Sequence, residues 1–181
     1  MFAKIYAKFT KLCEPCANRE KKPCVLCGKK TKMIIEKATI EENEILTEIT
    51  KKSKAYWGYS PEQILQWENN LTVSKDYIEK NEVFKLVSQD EIIGYYSYIK
   101  EENHNVILDN LFILPEYIGK GFGKYLMNDF LKRMQDEKCK KVILDSEPNA
   151  ERFYQKLGFK KIGEFETSIK NRFMPIMEIE L

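Results

Sequence analysis

The sequence contains no apolar run that approaches the roughly 18 residues needed to span a membrane, and it has one histidine among its 181 residues. Its first residues, MFAKIYAKFTK, alternate lysine with apolar side chains and lack the unbroken apolar core of a signal peptide. These absences predict a cytoplasmic protein with no membrane partner, in which cysteines stay reduced unless they bind metal or do chemistry. The single histidine, His104, lies in the polar run E-E-N-H-N, which is more typical of a solvated turn than of a catalytic base.

Internal repeats and low-complexity segments are also lacking, and the 43% apolar content suffices for one globular domain with a small appendage. The charge is unevenly divided. Residues 1–32 carry nine Lys/Arg against two Glu, a net charge of +7, whereas residues 33–181 carry 21 basic and 26 acidic side chains, a net charge of −5. This contrast predicts two pieces, a basic segment of residues 1–32 and a main domain of residues 33–181.

Four of the five cysteines lie in the basic segment. They form two Cys-x-x-Cys pairs, Cys13 with Cys16 and Cys24 with Cys27, and seven residues separate the pairs. This pattern suits a structural zinc site with four thiolates, and the surrounding lysine and arginine side chains offset its charge. Two redox pairs, or a basic tail with idle thiols, are the alternatives. The fifth, Cys139, is predicted to be a packing residue at the start of a strand.

From Met33 onward the pattern predicts a strand, helices, three strands, a helix, a strand, a helix and two strands. Ser60 followed by Pro61 is a typical helix start, with apolar residues further along the same helix. The pair Gln89 and Asp90 predicts a hairpin turn. Residues 122–138 have apolar side chains at a 3.6-residue period, which indicates an amphipathic helix. The order predicts a mixed α/β (α+β) fold, a central twisted sheet flanked by helices.

Three glycines occur at alternate positions in Y-I-G-K-G-F-G-K-Y, between Tyr117 and Tyr125. They follow a predicted strand and open a predicted helix, the arrangement in which backbone amides bind an anion. A Walker A loop is excluded because Tyr125 follows Lys124 where Ser or Thr is required. A dinucleotide fingerprint is excluded because its third glycine would fall at Lys124 or at Leu126.

The remaining pattern resembles the acyl-CoA pyrophosphate loop of the GNAT superfamily of N-acetyltransferases, Gln/Arg-x-x-Gly-x-Gly/Ala, which falls on I-G-K-G-F-G here. A second block, P-N-A-E-R-F-Y-Q-K-L-G-F from Pro148, is similar to the Asn-Ala-x-x-Phe-Tyr-x-x-x-Gly-Phe block of the same superfamily. The resemblance covers about four-fifths of the chain, from Met33 to Leu181. Two positions depart from it. Ile118 replaces the usual Gln or Arg, which should weaken cofactor binding, and Glu147 stands where many members have Asn, a role that Asn149 can fill.

The resemblance implies a GNAT-type fold and transfer of an acetyl group from acetyl-CoA to a primary amine of a small molecule or peptide. It places the general acid at Tyr154, which can also be an ordinary core tyrosine because its helix neighbours are apolar. It also implies a strand that splays from its neighbour, so that free amides of residues 112–114 bind the pantetheine arm and the thioester oxygen. The residues implied to bind acetyl-CoA are Phe112, Ile113, Leu114, Ile118, Gly119, Lys120, Gly121, Phe122, Gly123, Lys124, Asn149 and Tyr154.

The general base is predicted at Asp109, a carboxylate that interrupts an apolar strand. An unpaired carboxylate among apolar neighbours would have a raised pKa, which suits a base. A structural cap is the alternative role for Asp109, and Asp145, Glu147 or water can also carry the proton. These three carboxylates favour a cationic amine acceptor. Trp57, Tyr56 and Tyr59 lie where the superfamily covers the acceptor site, and core packing is their alternative role.

A binding module is the competing class of function. In that hypothesis the basic segment contacts RNA or a partner protein, and the main domain serves as an acyl-CoA-sensing platform. Few aromatic side chains in the segment are available to stack on bases, which argues against specific RNA recognition. A homodimer is a further hypothesis for the assembly of the chain.

Overall fold

The computed structural model describes residues 33–181, which form one unit. The four cysteines predicted to bind zinc, Cys13, Cys16, Cys24 and Cys27, lie outside these residues. The strands are β1 (Met33–Lys37), β2 (Glu82–Ser88), β3 (Glu91–Lys100), β4 (Asn105–Ile113), β5 (Lys141–Asp145), β6 (Lys160–Glu166) and β7 (Phe173–Glu180). The helices are α1 (Asn43–Tyr56), α2 (Pro61–Gln66), α3 (Glu68–Leu71), α4 (Lys75–Lys80), α5 (Phe122–Asp136) and α6 (Glu151–Gln155).

The seven strands form one sheet in the order β1-β2-β3-β4-β5-β7-β6. Neighbouring strands are antiparallel except β4 and β5, which are parallel. That parallel pairing is short, because it covers three residue pairs and ends at Ile107 and Ile143. Beyond this point the two strands continue without pairing, and we call the gap between them the wedge. The predicted mixed sheet flanked by helices is confirmed.

Helices cover both faces of the sheet, and each face has its own apolar core. One core packs buried residues of α5 and α6, such as Phe130 and Tyr154, against β3, β4 and β5. The other packs buried residues of α1 and α4, such as Leu46 and Ile78, against β2 and β3. Cys139 is buried in the first core just before β5, as predicted. The wedge therefore lies between two helix-covered faces.

Local signals explain several boundaries of the elements. Gln89 and Asp90 both adopt positive φ, 53° and 63°, in the turn between β2 and β3, which confirms the predicted hairpin. Ser60 caps α2, since its hydroxyl accepts a hydrogen bond from the Gln63 amide at 3.2 Å. The helix predicted from this cap is split in two, because the backbone at Trp67 leaves helical geometry with φ −92° and ψ 12°. Within residues 33–181, no helix has the length and apolar character required to cross a bilayer.

Candidate active site

A cleft of about 890 Å³ follows the wedge between β4 and β5. Residues from both strands line it, together with residues of α1, α4, α6, the glycine loop and the connection between β6 and β7. It therefore reaches both faces of the sheet. Of the predicted site residues, the lining includes Asp109, Phe112, Ile113, Ile118, Gly119, Gly121, Gly123, Lys124, Asn149 and Tyr154.

Leu114, Lys120 and Phe122 do not line the cleft. The Leu114 amide was predicted to be free, but it donates to the Ile93 carbonyl oxygen of β3 at 2.9 Å. Hydrogen-bonded and non-hydrogen-bonded pairs alternate along an antiparallel ladder, so the Phe112 amide also points at β3. The same alternation turns the amides of Leu111 and Ile113 toward the wedge. Of the three amides predicted to be free, Ile113 alone has that orientation.

The glycine loop presents unused backbone donors at the start of α5. Gly119 and Gly121 have φ of +78° and +92°, a conformation that strains any residue with a Cβ atom. Among the described residues, no acceptor contacts the amides of residues 121–124, and the first amide of the helix that bonds back is that of Tyr125, to Gly121. Lys124 lines the cleft, and its ammonium has no partner within residues 33–181. Unused amides and a free cation fit a pyrophosphate group.

The remaining loop residues pack on one another. The Phe122 ring meets the Tyr117 ring edge to face, with centroids 5.5 Å apart, and the Lys120 ammonium lies 5.7 Å from the Tyr117 ring centroid. The side chain of Ile118 packs against the core beneath α5 while it lines the cleft. These contacts shape the loop and leave the amides of residues 121–124 and Lys124 as its groups without a partner in the described part of the chain.

Tyr154 lies on α6 with 8% of its surface exposed, and its ring packs edge to face on Phe153 and Phe159. It lines the cleft, and its hydroxyl has no hydrogen-bond partner within the described part of the chain. Burial raises the pKa of Tyr154 above that of an ordinary tyrosine. The phenol therefore keeps its proton at neutral pH and can donate it to a group in the cleft.

Asp109 is not the unpaired carboxylate that the sequence predicted. Its Oδ2 accepts a short hydrogen bond from the Tyr77 hydroxyl and a second one, at 2.9 Å, from Asn110 Nδ2. The Tyr77 hydroxyl is also 2.7 Å from Ser97 Oγ and accepts from Asn110 Nδ2 at 2.9 Å. The prediction was wrong because the partner of Asp109 is distant in the chain. Helix α4 brings Tyr77 over β4, which spacing along the chain does not reveal.

A β-bulge allows Asp109 and Asn110 to meet Tyr77 together. Asn110 is opposite Ser97 and Leu108 is opposite Tyr98, which leaves Asp109 as the extra residue of β4. Two consecutive side chains thus reach the face of the sheet that α1 and α4 cover. Beyond the bulge, Leu111 and Ile113 return to the opposite core.

Asp145 is the last residue of β5 and lines the cleft. Within residues 33–181 its carboxylate has no hydrogen bond or ion pair. Loss of hydration in the cleft, followed by the charge of Asp109, raises the pKa of Asp145 above the usual aspartate range. Among the three carboxylates considered from the sequence, this one is free to take up a proton.

Glu147 links three parts of the structure through hydrogen bonds to its carboxylate. Arg172 Nη2 donates to both of its oxygens at 2.9 Å, Lys54 Nζ donates at 3.1 Å, and the Tyr59 hydroxyl donates at 2.8 Å. Its side chain is 11% exposed. Burial raises its pKa, but Lys54, Tyr59 and Arg172 outweigh burial and the pKa of Glu147 is lowered. A carboxylate held by four hydrogen bonds is a poor base, so the structure argues against Glu147 in that role.

Sequence reasoning missed Tyr77, Lys54 and Arg172, all of which line the cleft. No local pattern distinguishes Tyr77 or Lys54 from other residues of amphipathic helices. Trp57 also lines the cleft, whereas Tyr56 is 52% exposed and does not. Tyr59 does not line the cleft, but its hydroxyl donates a hydrogen bond to Glu147. His104 precedes β4, at the end of that strand away from the cleft. Across the described residues, no group of three or more His, Cys, Asp or Glu side chains is arranged to hold a metal ion.

Comparison with known proteins gives consistent results. Residues 57–181 match the acetyltransferase (GNAT) domain family. An uncharacterized N-acetyltransferase ycf52 of Porphyra purpurea is 29% identical over 84 residues, which is 46% of this chain and 45% of that protein. The spermine/spermidine N(1)-acetyltransferase of Bacillus subtilis (strain 168) is 32% identical over 92 residues, 45% of this chain and 60% of the relative. The chain thus spans about half the length of the curated relatives it matches.

Among solved structures, the PaiA N-acetyltransferase of Thermoplasma acidophilum, in complex with coenzyme A, superposes with a TM-score of 0.70 and 25% identity. The match covers 83% of this chain and 99% of the other.

Proposed function

Because this chain belongs to the acetyltransferase (GNAT) domain family, we propose that it transfers an acetyl group from acetyl-CoA to a primary amine of a small molecule or peptide. One observation carries the proposal. The cleft joins unused loop amides and a protonated phenol on one side of the sheet to carboxylates on the other. Direct transfer needs this division, since the thioester and the amine must meet between an acid and a base.

The residues on the α5 and α6 side fit acetyl-CoA, which supplies the acetyl group as a thioester. The amides of residues 121–124 and the Lys124 ammonium would hold the pyrophosphate, with Ile118 and Asn149 beside it. The amides of Leu111 and Ile113 face the wedge and would bind the pantetheine arm and polarise the thioester carbonyl. Tyr154 would donate a proton to the sulfur as the carbon–sulfur bond breaks.

The residues on the α1 and α4 side fit a cationic acceptor. Asp109 and Asp145 line this part of the cleft, whereas Lys54 and Arg172 are paired with Glu147. The spermine/spermidine acetyltransferase of B. subtilis is a relative with cationic acceptors by its name. Both observations support an amine that carries additional positive charge. The acyl-CoA-sensing binding module is not favoured, because the named relatives are acetyltransferases.

Thiol release from acetyl-CoA tests this function. We expect spermidine or a lysine-containing peptide to stimulate release, and an uncharged monoamine of similar length to stimulate it at least 10-fold less. The monoamine lacks the additional positive charge that would interact with the carboxylates of the cleft, and a loss of about 1.4 kcal/mol in that interaction lowers the rate tenfold. The panel should include polyamines, aminoglycosides, amino acids and peptides. If acetyl-CoA binds and no acceptor stimulates release, the enzyme proposal fails. Equal kinetics for cationic and neutral amines would contradict the cationic acceptor and leave the acetyltransferase proposal standing.

We also propose that residues 1–32 form a separate basic segment in which Cys13, Cys16, Cys24 and Cys27 bind one structural zinc ion. The Cys-x-x-Cys spacing supports a site with four thiolates. We expect one equivalent of zinc in the purified chain, lost in Cys24→Ser and retained in the control Cys139→Ser, since Cys139 is buried in the core of the main domain. A metal-free wild type would contradict the proposal. An RNA contact of this segment would weaken steeply with salt.

A further inference from the structure

Asp109 and Asp145 occupy equivalent positions on the two strands that form the wedge. Each lies two residues beyond the last residue pair of the parallel ladder, Ile107 with Ile143. Side chains alternate along a strand, so both carboxylates are on the same face as that pair, the face covered by α1 and α4. We call these two residues the wedge pair. They lie on the two sides of the gap in which the amine and the thioester would meet, and both line the cleft.

The surroundings of the wedge pair are asymmetric. Two donors, Tyr77 and Asn110, hold Oδ2 of Asp109, and Ser97 and Asn110 hold the Tyr77 hydroxyl in turn. Asp145 has no donor among residues 33–181. When two carboxylates lie close together, proton uptake by either relieves their repulsion. Uptake at Asp145 does so at no cost in hydrogen bonding, whereas a proton on Asp109 would weaken the two hydrogen bonds that its Oδ2 accepts.

The other charged groups of the cleft do not compensate Asp145. Lys54 and Arg172 are bound to Glu147, and Lys124 is at the glycine loop. The titratable and charged groups that line the cleft with Asp145 are Lys54, Tyr77, Asp109, Lys124, Glu147, Tyr154 and Arg172. The raised pKa of Asp145 agrees with this arrangement.

We infer that Asp145 accepts the proton that the amine nitrogen loses as its bond to the acetyl carbon forms, and that Tyr77 is the positioning residue that holds Asp109 opposite it. This inference rests on the proposed function, and it assigns the role of general base to Asp145 in place of Asp109. The nitrogen–carbon bond forms and the carbon–sulfur bond breaks. One proton moves from nitrogen to Asp145, one moves from Tyr154 to sulfur, and solvent returns both residues to their starting states.

Two measurements on the full-length chain test the inference. Carbon-13 NMR of the side-chain carboxyl groups follows the titration of Asp145 without substrate. We expect Asp109→Asn to lower the titration midpoint of Asp145 and Tyr77→Phe to lower it by less. Tyr98→Phe is the matched control, because Tyr98 also donates to a carboxylate, Glu137, but lies outside the cleft. It should leave the Asp145 midpoint unchanged.

The second measurement is thiol release from acetyl-CoA with spermidine. We expect Asp145→Asn to lower kcat about 100-fold with the KM for acetyl-CoA little changed. Tyr77→Phe should lower kcat less and shift the acid limb of the pH profile to lower pH. Thermal melting checks that each variant is folded. Turnover by Asp145→Asn at the wild-type rate, or an Asp145 midpoint unmoved in Asp109→Asn, overturns the inference while the proposed function stands. No turnover by the wild type with any acceptor overturns both.

Discussion

Replacing Tyr154 with phenylalanine is expected to lower kcat by on the order of 10³ and to leave the binding of acetyl-CoA nearly unchanged. The substitution removes one hydroxyl that has no hydrogen-bond partner in the described structure, so little folding energy depends on it. The ring contacts with Phe153 and Phe159 remain. What is lost is the proton that the leaving sulfur would receive. Thiol release under saturating acceptor measures kcat, and calorimetry measures the affinity for acetyl-CoA.

Tyr96→Phe is the matched control for this prediction. Tyr96 is fully buried in the same core, but its hydroxyl donates to Asp129 at 2.6 Å and does not line the cleft. The control should lose about 1 kcal/mol of stability with kcat retained. If Tyr154→Phe keeps the wild-type kcat, Tyr154 is an ordinary core residue and water or another group protonates the sulfur.

The second large effect concerns stability. Glu147→Gln is expected to lower the free energy of unfolding by about 3 kcal/mol at neutral pH, because loss of one partner leaves Lys54 and Arg172 uncompensated in a mostly buried site. The two cations are 18% and 16% exposed at their side chains, so some hydration returns and the effect falls at the low end for such pairs. Urea unfolding measures the difference, and Glu116→Gln, an exposed carboxylate, is the control.

The sign of the pH dependence follows from the lowered pKa of Glu147. A carboxylate whose pKa is lower in the folded state stabilises the fold above its ordinary pKa, and this stabilisation is lost as pH falls through the folded value. The difference between wild type and Glu147→Gln should therefore shrink in acid. A difference below about 0.5 kcal/mol at neutral pH would show that the network contributes no more than an exposed ion pair.

Much of the fold could be predicted because its signals are local. Ser60 and Pro61 start a helix, and Gln89 and Asp90 form a turn. The apolar residues that recur every 3.6 positions in α5 form its buried face. The spacing of the three glycines predicts the loop before α5. These features depend on a few neighbouring residues, whose backbone preferences act wherever the chain is placed.

The electrostatics of the cleft could not be predicted, because its partners are distant in the chain. Lys54 and Glu147 are 93 residues apart, and Tyr77 and Asp109 are 32 apart. The same type of residue, an acidic side chain after a strand, became an anchor at Glu147 and a free carboxylate at Asp145. What distinguishes them is which donors the tertiary fold brings within hydrogen-bonding distance, and local sequence patterns do not predict these contacts.

The bulge at Asp109 has a consequence for how the cleft can change. Asp109 is the extra residue of β4, and neither apolar core includes its side chain. The apolar cores therefore do not depend on this side chain, and a substitution there would lose only the hydrogen bonds from Tyr77 and Asn110. A library of side chains there would alter the charge and reach of the acceptor wall while the apolar neighbours, Leu108 and Leu111, stay in place. Under the proposed function, Asp109 is therefore the position at which we expect acceptor choice to be open to redesign.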